Sequence, residues 1–284
     1  MSKQGRILGR STGGNVAVYS FLILMGCFMA LPMVYAISNS LKPLDELFVF
    51  PPKFFVQHPT LDNFADLFML MGKSWVPFSR YIFNTLFITA VGTVGCVLVT
   101  SMGAYVLAKG KFPGKNLLFN LIVTSLMFSG YVTAIPNYLV MAKLDWIDTW
   151  YAVIVPAFGM PMGLFLTKQY MEGIPDTLLE AARIDGASHW RIYWSIVMPM
   201  AKPAWVTVII YSVQGLWNSK ASTFIYSEDL KTLPYALQQI LNGGIARTGV
   251  GCAVTVFMII VPIITFVMSQ RQVMETMASS GLKE

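Results

Sequence analysis

Charge is what this sequence has least of. Only 12% of its 284 residues are Asp, Glu, Lys or Arg and 55% are hydrophobic, against roughly 25% and 45–50% in soluble domains. The scarcity is uneven. Six runs, 11 to 41, 81 to 108, 116 to 142, 149 to 167, 203 to 219 and 248 to 270, hold no charged residue. Each is long enough to cross a bilayer or nearly so, since a spanning helix needs ~20 residues. The pattern excludes a soluble globular domain and predicts an all-α membrane protein of six transmembrane helices. An even number of crossings brings both termini to one side.

Other absences narrow the chemistry. The three cysteines, Cys27, Cys96 and Cys252, fall in three different runs without paired spacing and read as apolar fillers. The two histidines, His58 and His189, have no second His or Cys nearby to complete a metal site. There is no HExxH, no nucleophile elbow, and no acid pair inside a run. A proton-coupled carrier needs an ionisable relay in the membrane, and the runs offer none. Gly110-Lys111 and Gly114-Lys115 lack the GxxxxGK[ST] loop that cradles phosphates, so any ATP that drives this chain is hydrolysed elsewhere. The first apolar run exceeds the 7–15 residues of a signal peptide and lacks Ala-x-Ala near its end, which predicts a retained first helix.

The net charge of +6 is explained by topology and needs no nucleic acid. Twelve of the twenty Lys and Arg lie on the side of the termini, eight on the other. Lys109, Lys111 and Lys115 crowd one short loop with no acid beside them. By the positive-inside rule that side is cytoplasmic.

The segment 171 to 200 then lies in the cytoplasm, and it is built differently from a connector. Pro175 suits a first helical turn and Asp176 the positive end of the helix dipole. Leu178, Leu179 and Ala182 recur at helical spacing, and Asp185-Gly186 supplies a stop. Ser188 caps a second helix that Pro199 interrupts. Small residues at Ala181, Ala182 and Ala187 permit close approach by a partner surface. The residues Glu180-Ala181-Ala182, three more, Gly186, nine more, and Ile196-Val197-Met198-Pro199 resemble the docking loop of permeases from binding-protein-dependent ABC importers. That loop reads EAA, three residues, G, nine residues, I-x-L-P, and Met198 is the one departure. The run from Glu180 to Ala187, with Asp185 before Gly186, is similar to the carbohydrate branch. The likeness extends to Phe50-Pro51-Pro52, Thr60 to Phe64, Asn84-Thr85 and Trp217-Asn218.

The resemblance implies the type I importer permease fold, a single transmembrane domain over 1–284 with the coupling loop 171–200 inside it, in a bacterial cytoplasmic membrane. It implies a second permease subunit, two ATPase subunits that carry the ATP and Mg, and an extracytoplasmic solute-binding protein, with no catalysis in this chain. Glu180, Ala181, Ala182, Asp185, Gly186, Ala187 and Pro199 would couple to the ATPase. It also implies that the loop from Ser219 to Arg247 reaches the binding protein through Asn242, Gly243, Gly244 and Ile245.

A sugar presents hydroxyls and apolar ring faces, so a pathway for it uses amides, hydroxyls and aromatic platforms. Asn84, Tyr131, Asn137, Gln214, Trp217 and Asn218 are candidates; each is equally explained by helix packing or interfacial anchoring. Gly92, Gly95 and Gly103 offer close helix contact, and Pro32, Pro136, Pro156, Pro161 and Pro262 are kink sites. The stretch from Thr232 to Ala246, with Gln238, Gln239 and Asn242, reads as a loop. A permease for a non-sugar solute, a secondary carrier and a membrane enzyme on lipid-linked substrates remain as alternatives.

Overall fold

The computed structural model describes residues 12–72, 76–242, 244 and 247–280. All regular structure among them is helical. In chain order the helices are α1 (Thr12–Ser40), α2 (Leu44–Leu47), α3 (Asp62–Gly72), α4 (Phe78–Lys109), α5 (Lys115–Ser125), α6 (Gly130–Lys143) and α7 (Tyr151–Phe158). There follow α8 (Pro161–Glu172), α9 (Asp176–Ile184), α10 (His189–Ile192), a π-helical turn (Tyr193–Val197), α11 (Met198–Met200), α12 (Lys202–Trp217), α13 (Leu233–Leu241) and α14 (Thr248–Ser280).

Among the described residues four stretches are long and apolar enough to cross a membrane: Gly13–Ser40, Phe78–Lys109, Tyr151–Glu172 and Thr248–Gln270. Two more spans arise if the pairs α5 with α6, bent by 109°, and α10–α11 with α12, bent by 78°, each count as one. The run 116 to 142 is therefore not one straight helix. Its break falls at 126–129, where Ser129 turns extended (φ −73°, ψ 152°) ahead of Gly130.

The chain divides into two units of dense contact, residues 1–70 with 240–257 and residues 71–239 with 258–284. The second is organised around α4, which packs against α7, α8 and α12. Glycine makes those contacts close. A Cβ at Gly95 would lie 2.0 Å from Phe158, one at Gly92 2.5 Å from Leu216, and one at Gly103 3.2 Å from Leu164. Cys96 between them is buried as expected, whereas Cys27 on α1 is exposed, because α1 lies against little of this chain.

Polar side chains hold the irregular segments. In the first unit the Asn63 amide donates to the carbonyls of Ser40 (3.0 Å) and Lys42 (2.7 Å). The Lys42 ammonium donates to Asn39 Oδ1 at 2.7 Å, and Ser38 Oγ bonds Phe54 O and the Val56 N–H. A Cβ at Gly249 would meet Asn63 Oδ1 at 2.3 Å, so the start of α14 needs glycine there.

In the second unit Asn84, fully buried, donates to the carbonyls of Asp229 (2.7 Å) and Lys231 (2.9 Å). Beside it Thr85 Oγ1 accepts the Leu233 N–H at 2.8 Å, and Thr232 Oγ1 donates to Ser219 O at 2.9 Å. Asp148, in the left-handed region at φ 60°, accepts the Tyr226 and Ser227 amides at 2.9 and 2.8 Å and the Ser227 hydroxyl. The Ser227 hydroxyl, then its amide, hold the Asp148 carboxyl below the usual carboxylate range.

The stretch after Thr232 is helical rather than a loop. Leu233, Ala236, Leu237 and Ile240 recur at i, i+3, i+4 and i+7 and are buried. Gln238 and Gln239 stand off that face, half-buried and exposed. An amphipathic helix needs only this stripe, which two glutamines do not break.

Asn84→Ala removes two buried hydrogen bonds, each worth about 1 kcal/mol. The expected outcome is a loop over 219–232 that is cut faster by protease in detergent, at a membrane level close to wild type. Asn137→Ala, at an exposed position, should leave the cleavage rate unchanged.

Candidate functional site

The segment 171–200 folds as its residues direct. Pro175, extended at φ −61°, precedes α9, with Asp176 in the first turn and Arg183 in the last. The C-terminus closes as a Schellman motif: the Ala187 N–H donates to Ala182 O (2.9 Å) and the Gly186 N–H to Arg183 O (3.0 Å). Gly186 sits at φ +80°, where a side chain is disfavoured, and a Cβ there would meet nothing within 4 Å. Ser188 Oγ then accepts the Arg191 N–H at 3.3 Å as an N-cap. Pro199 lies within α11, and the sharp corner comes two residues later at Ala201. The Trp205 indole, donating to Met198 O at 3.0 Å, braces that corner.

One side of this knob is buried and the other is bare. Leu179, Ile192, Val197 and Ala201 form a core with Ala104 of α4 and with Met171 and Ile174, and Ala182 and Ala187 pack against it. Glu180, Ala181, Asp185 and Gly186 are exposed. Leu178 is 45% and Ile184 87% exposed, an apolar pair flanking the short side chain of Ala181.

Lys109, last residue of α4, fastens the start of α9. Its ammonium reaches Asp176 Oδ1 at 2.8 Å and Ile174 O at 2.6 Å. The Lys109 hydrogen bond, then its charge, hold the Asp176 carboxyl below its ordinary value.

The candidate pathway residues do not converge. Asn84 has spent its amide hydrogens on the loop carbonyls. Trp217 is 3% exposed and donates its indole N–H to Met258 O at 3.1 Å, an anchor between α12 and α14. Tyr131, Asn137 and Gln214 are exposed. Asn218 is exposed, bonds Gln214 O at 2.8 Å, and lines a cleft of about 580 Å³ with Gly215, Ser222, Thr223 and Phe224. Pro199 borders a second, apolar cleft of about 420 Å³ with Val97, Leu98, Trp194 and Trp205. In the loop before α14, Asn242 and Gly244 are exposed, Gly244 at φ +89°; Gly243 and Ile245 lie outside the described residues.

Sequence reasoning missed three contributors. The side-chain anchors Asn84 and Asn63 show only as amides next to a span, and their targets are backbone carbonyls far along the chain. The π-turn at Tyr193–Val197 has no residue signature. Ser101 and Tyr193, whose hydroxyls meet at 2.7 Å, stand 92 positions apart. Among the described residues no three metal-ligating side chains come together.

Helices throughout the described residues, several of them of membrane length, make this a multi-pass membrane protein that carries a knob anchored at the base and bare at the tip. Residues 98–276 match the family described as binding-protein-dependent transport system inner membrane component. LplC of Bacillus subtilis is 34% identical over 246 residues, 85% of this chain and 77% of that one. The arabinooligosaccharides transport system permease protein AraQ of Halalkalibacterium halodurans is 30% identical over 279 residues, covering 94% and 97%. A bacterial ABC transporter that imports the acidic polysaccharide alginate has a chain of the same fold, at TM-score 0.78, 23% identity and coverage of 93% and 98%. This chain belongs to the binding-protein-dependent transport family and is one of its non-catalytic, membrane-embedded permease components.

Because the Asp176 carboxyl is held low, its pairing with Lys109 is in place throughout the ordinary carboxylate range and above it, and is lost only as pH falls below that range, through the lowered value. Lys109→Met at neutral pH should speed hydrogen–deuterium exchange at residues 174–178. Acidifying the wild type should produce the same rise after correction for intrinsic rates, and the variant should show no further change.

Proposed function

We propose that this chain is half of the translocation pathway of an ATP-driven carbohydrate importer, with an oligosaccharide as solute. It pairs with a second, different permease. Two ATPase subunits, which hold the ATP and Mg, bind on the cytoplasmic side, and an extracytoplasmic binding protein delivers solute to the other. Both termini are cytoplasmic. The solute class rests on the names of relatives such as AraQ and on the run Glu180 to Ala187.

The observation that carries the docking assignment is the asymmetry of the segment 171–200. Its base is locked into the core of α4 and α8, while Leu178, Glu180, Ala181 and Ile184 are exposed at its surface. In this reading the small Ala181 and the turn at Gly186 let an ATPase surface close over the knob, and Glu180 meets a basic group or a backbone amide there. Asp185, Ala187 and Pro199 set the shape of the knob rather than its contacts. Asn218, with the cleft it lines, is the strongest of the pathway candidates, and the loop carrying Asn242 and Gly244 faces the binding protein.

The test is co-purification from native membranes. The wild-type chain should retrieve an ATPase and a second permease. A β-branched residue at φ +80° costs about 1–2 kcal/mol and fills the space beside the turn. Gly186→Val should therefore lower ATPase retrieval about five- to thirtyfold, with the chain still in the membrane, and Glu180→Lys should act in the same direction. A wild-type chain that emerges alone and still moves solute would make the protein a carrier.

A further inference from the structure

Between α10 and α11 the chain is not α-helical. At Tyr193–Val197 it takes a π-turn, with the Met198 N–H bonded to Tyr193 O, five residues back. Such insertions disturb the i→i−4 ladder and concentrate at functional positions. This one holds Ile192, Tyr193 and Val197 inward together, at 0%, 2% and 0% exposure.

Inward, Tyr193 meets the middle of α4. Its hydroxyl oxygen lies 2.7 Å from Ser101 Oγ, and its ring lies against that of Tyr105, centroids 5.5 Å apart. The Ser101 hydroxyl has one hydrogen and sits 2.5 Å from Val97 O of the preceding turn. Ser101 therefore donates to Val97 O and accepts from Tyr193. The relay runs from the knob to the α4 backbone in two bonds, with Ser101 wholly buried.

Lys109 at the end of the helix also bonds the start of the knob, but there Asp176 is 73% exposed and salt weakens the pairing. Core packing also joins them, but apolar contact is non-directional and permits small shifts short of a clash. A buried hydroxyl pair does not, because separating it strands a polar group away from water without a partner. The knob and α4 therefore move together, or part only with that loss.

We propose that the Tyr193–Ser101 pair is the latch that carries displacement of the docking knob into α4, making both of them positioning residues for transport. Val97, the far end of the relay, also lines the apolar cleft with Trp194, the neighbour of Tyr193, so a shift of the π-turn is felt along that wall of α4. The inference rests on the docking reading above.

The experiment uses the assembled transporter with both permeases and the ATPase, in a cysteine-free background carrying a bimane label at Phe83→Cys. That position is half exposed near the start of α4, remote from Ser101. The probe is Mg-ATP. In the parent, Mg-ATP should shift the label's emission. Tyr193→Phe and Ser101→Ala should each reduce that shift at least threefold per assembled complex, and the double variant should reduce it no further. A purely structural role would lower the yield of complex and leave the shift per complex intact. Ser101→Ala, a small change that favours the helix, carries the test if Tyr193→Phe fails to assemble. A full shift in assembled variants, additive losses in the double variant, or no shift in the parent overturns the latch while ATPase retrieval still stands. Failure of the parent to retrieve any ATPase overturns the docking reading and the latch with it.

Discussion

The constraint on which the rest of the structure depends is that a nearly charge-free chain must still satisfy its backbone. In an apolar medium an unpaired carbonyl or amide is costly, and ion pairs are scarce here because the charges to make them are. The chain answers with amides and hydroxyls aimed at main-chain groups. Asn63 holds the carbonyls of Ser40 and Lys42 at the end of α1, Asn84 holds those of Asp229 in the 3₁₀ turn at Glu228–Leu230 and of Lys231 just after it, and Thr85 receives the amide that opens α13. These few side chains turn segments that would otherwise be loose connections into fixed corners, and the helices between them need only be apolar.

The segment 171–200 is held differently. Its tip is shaped by local backbone chemistry, the Schellman closure at Gly186 and the serine cap at Ser188, and so needs nothing from the remainder of the fold. Its base is shaped by long-range contact, with Leu179, Ile192 and Val197 sunk among residues of α4 and α8. A knob stiffened from within and rooted from below can be pushed as a unit. The surface left over, Leu178 and Ile184 around Ala181, is apolar at the centre with Glu180 and Arg183 exposed beside it, a composition suited to a partner that comes and goes.

Much of this was legible in the residues. The charge-free runs located the long helices because excluding charge is what the bilayer demands of any spanning segment, and Asp185-Gly186 announced its turn because few other pairs stop a helix that way. Less visible were features whose cause lies elsewhere in the chain. The apolar run from 116 to 142 conceals a 109° bend, since Ser129-Gly130 is as acceptable inside a membrane helix as at a break. Asn84 and Trp217 read either as solute contacts or as packing groups from residue type alone, and only the fold shows their N–H donors engaged with Asp229, Lys231 and Met258. The stripe of α13 was present in the sequence at the right spacing and was obscured by the glutamines on its other side.

The notches in α4 bear on how the molecule can move. Phe158 fills the space over Gly95 and Leu216 the space over Gly92, so two neighbouring helices are keyed into one face of α4 only three residues apart. A helix keyed in this way cannot spin about its own axis, and it cannot slip by a turn without driving Phe158 or Leu216 into a side chain. What is left to it is tilt and translation in company with α7 and α12. A small displacement delivered to any one of the three is then shared by all, and the bundle behaves as a lever rather than as separate rods.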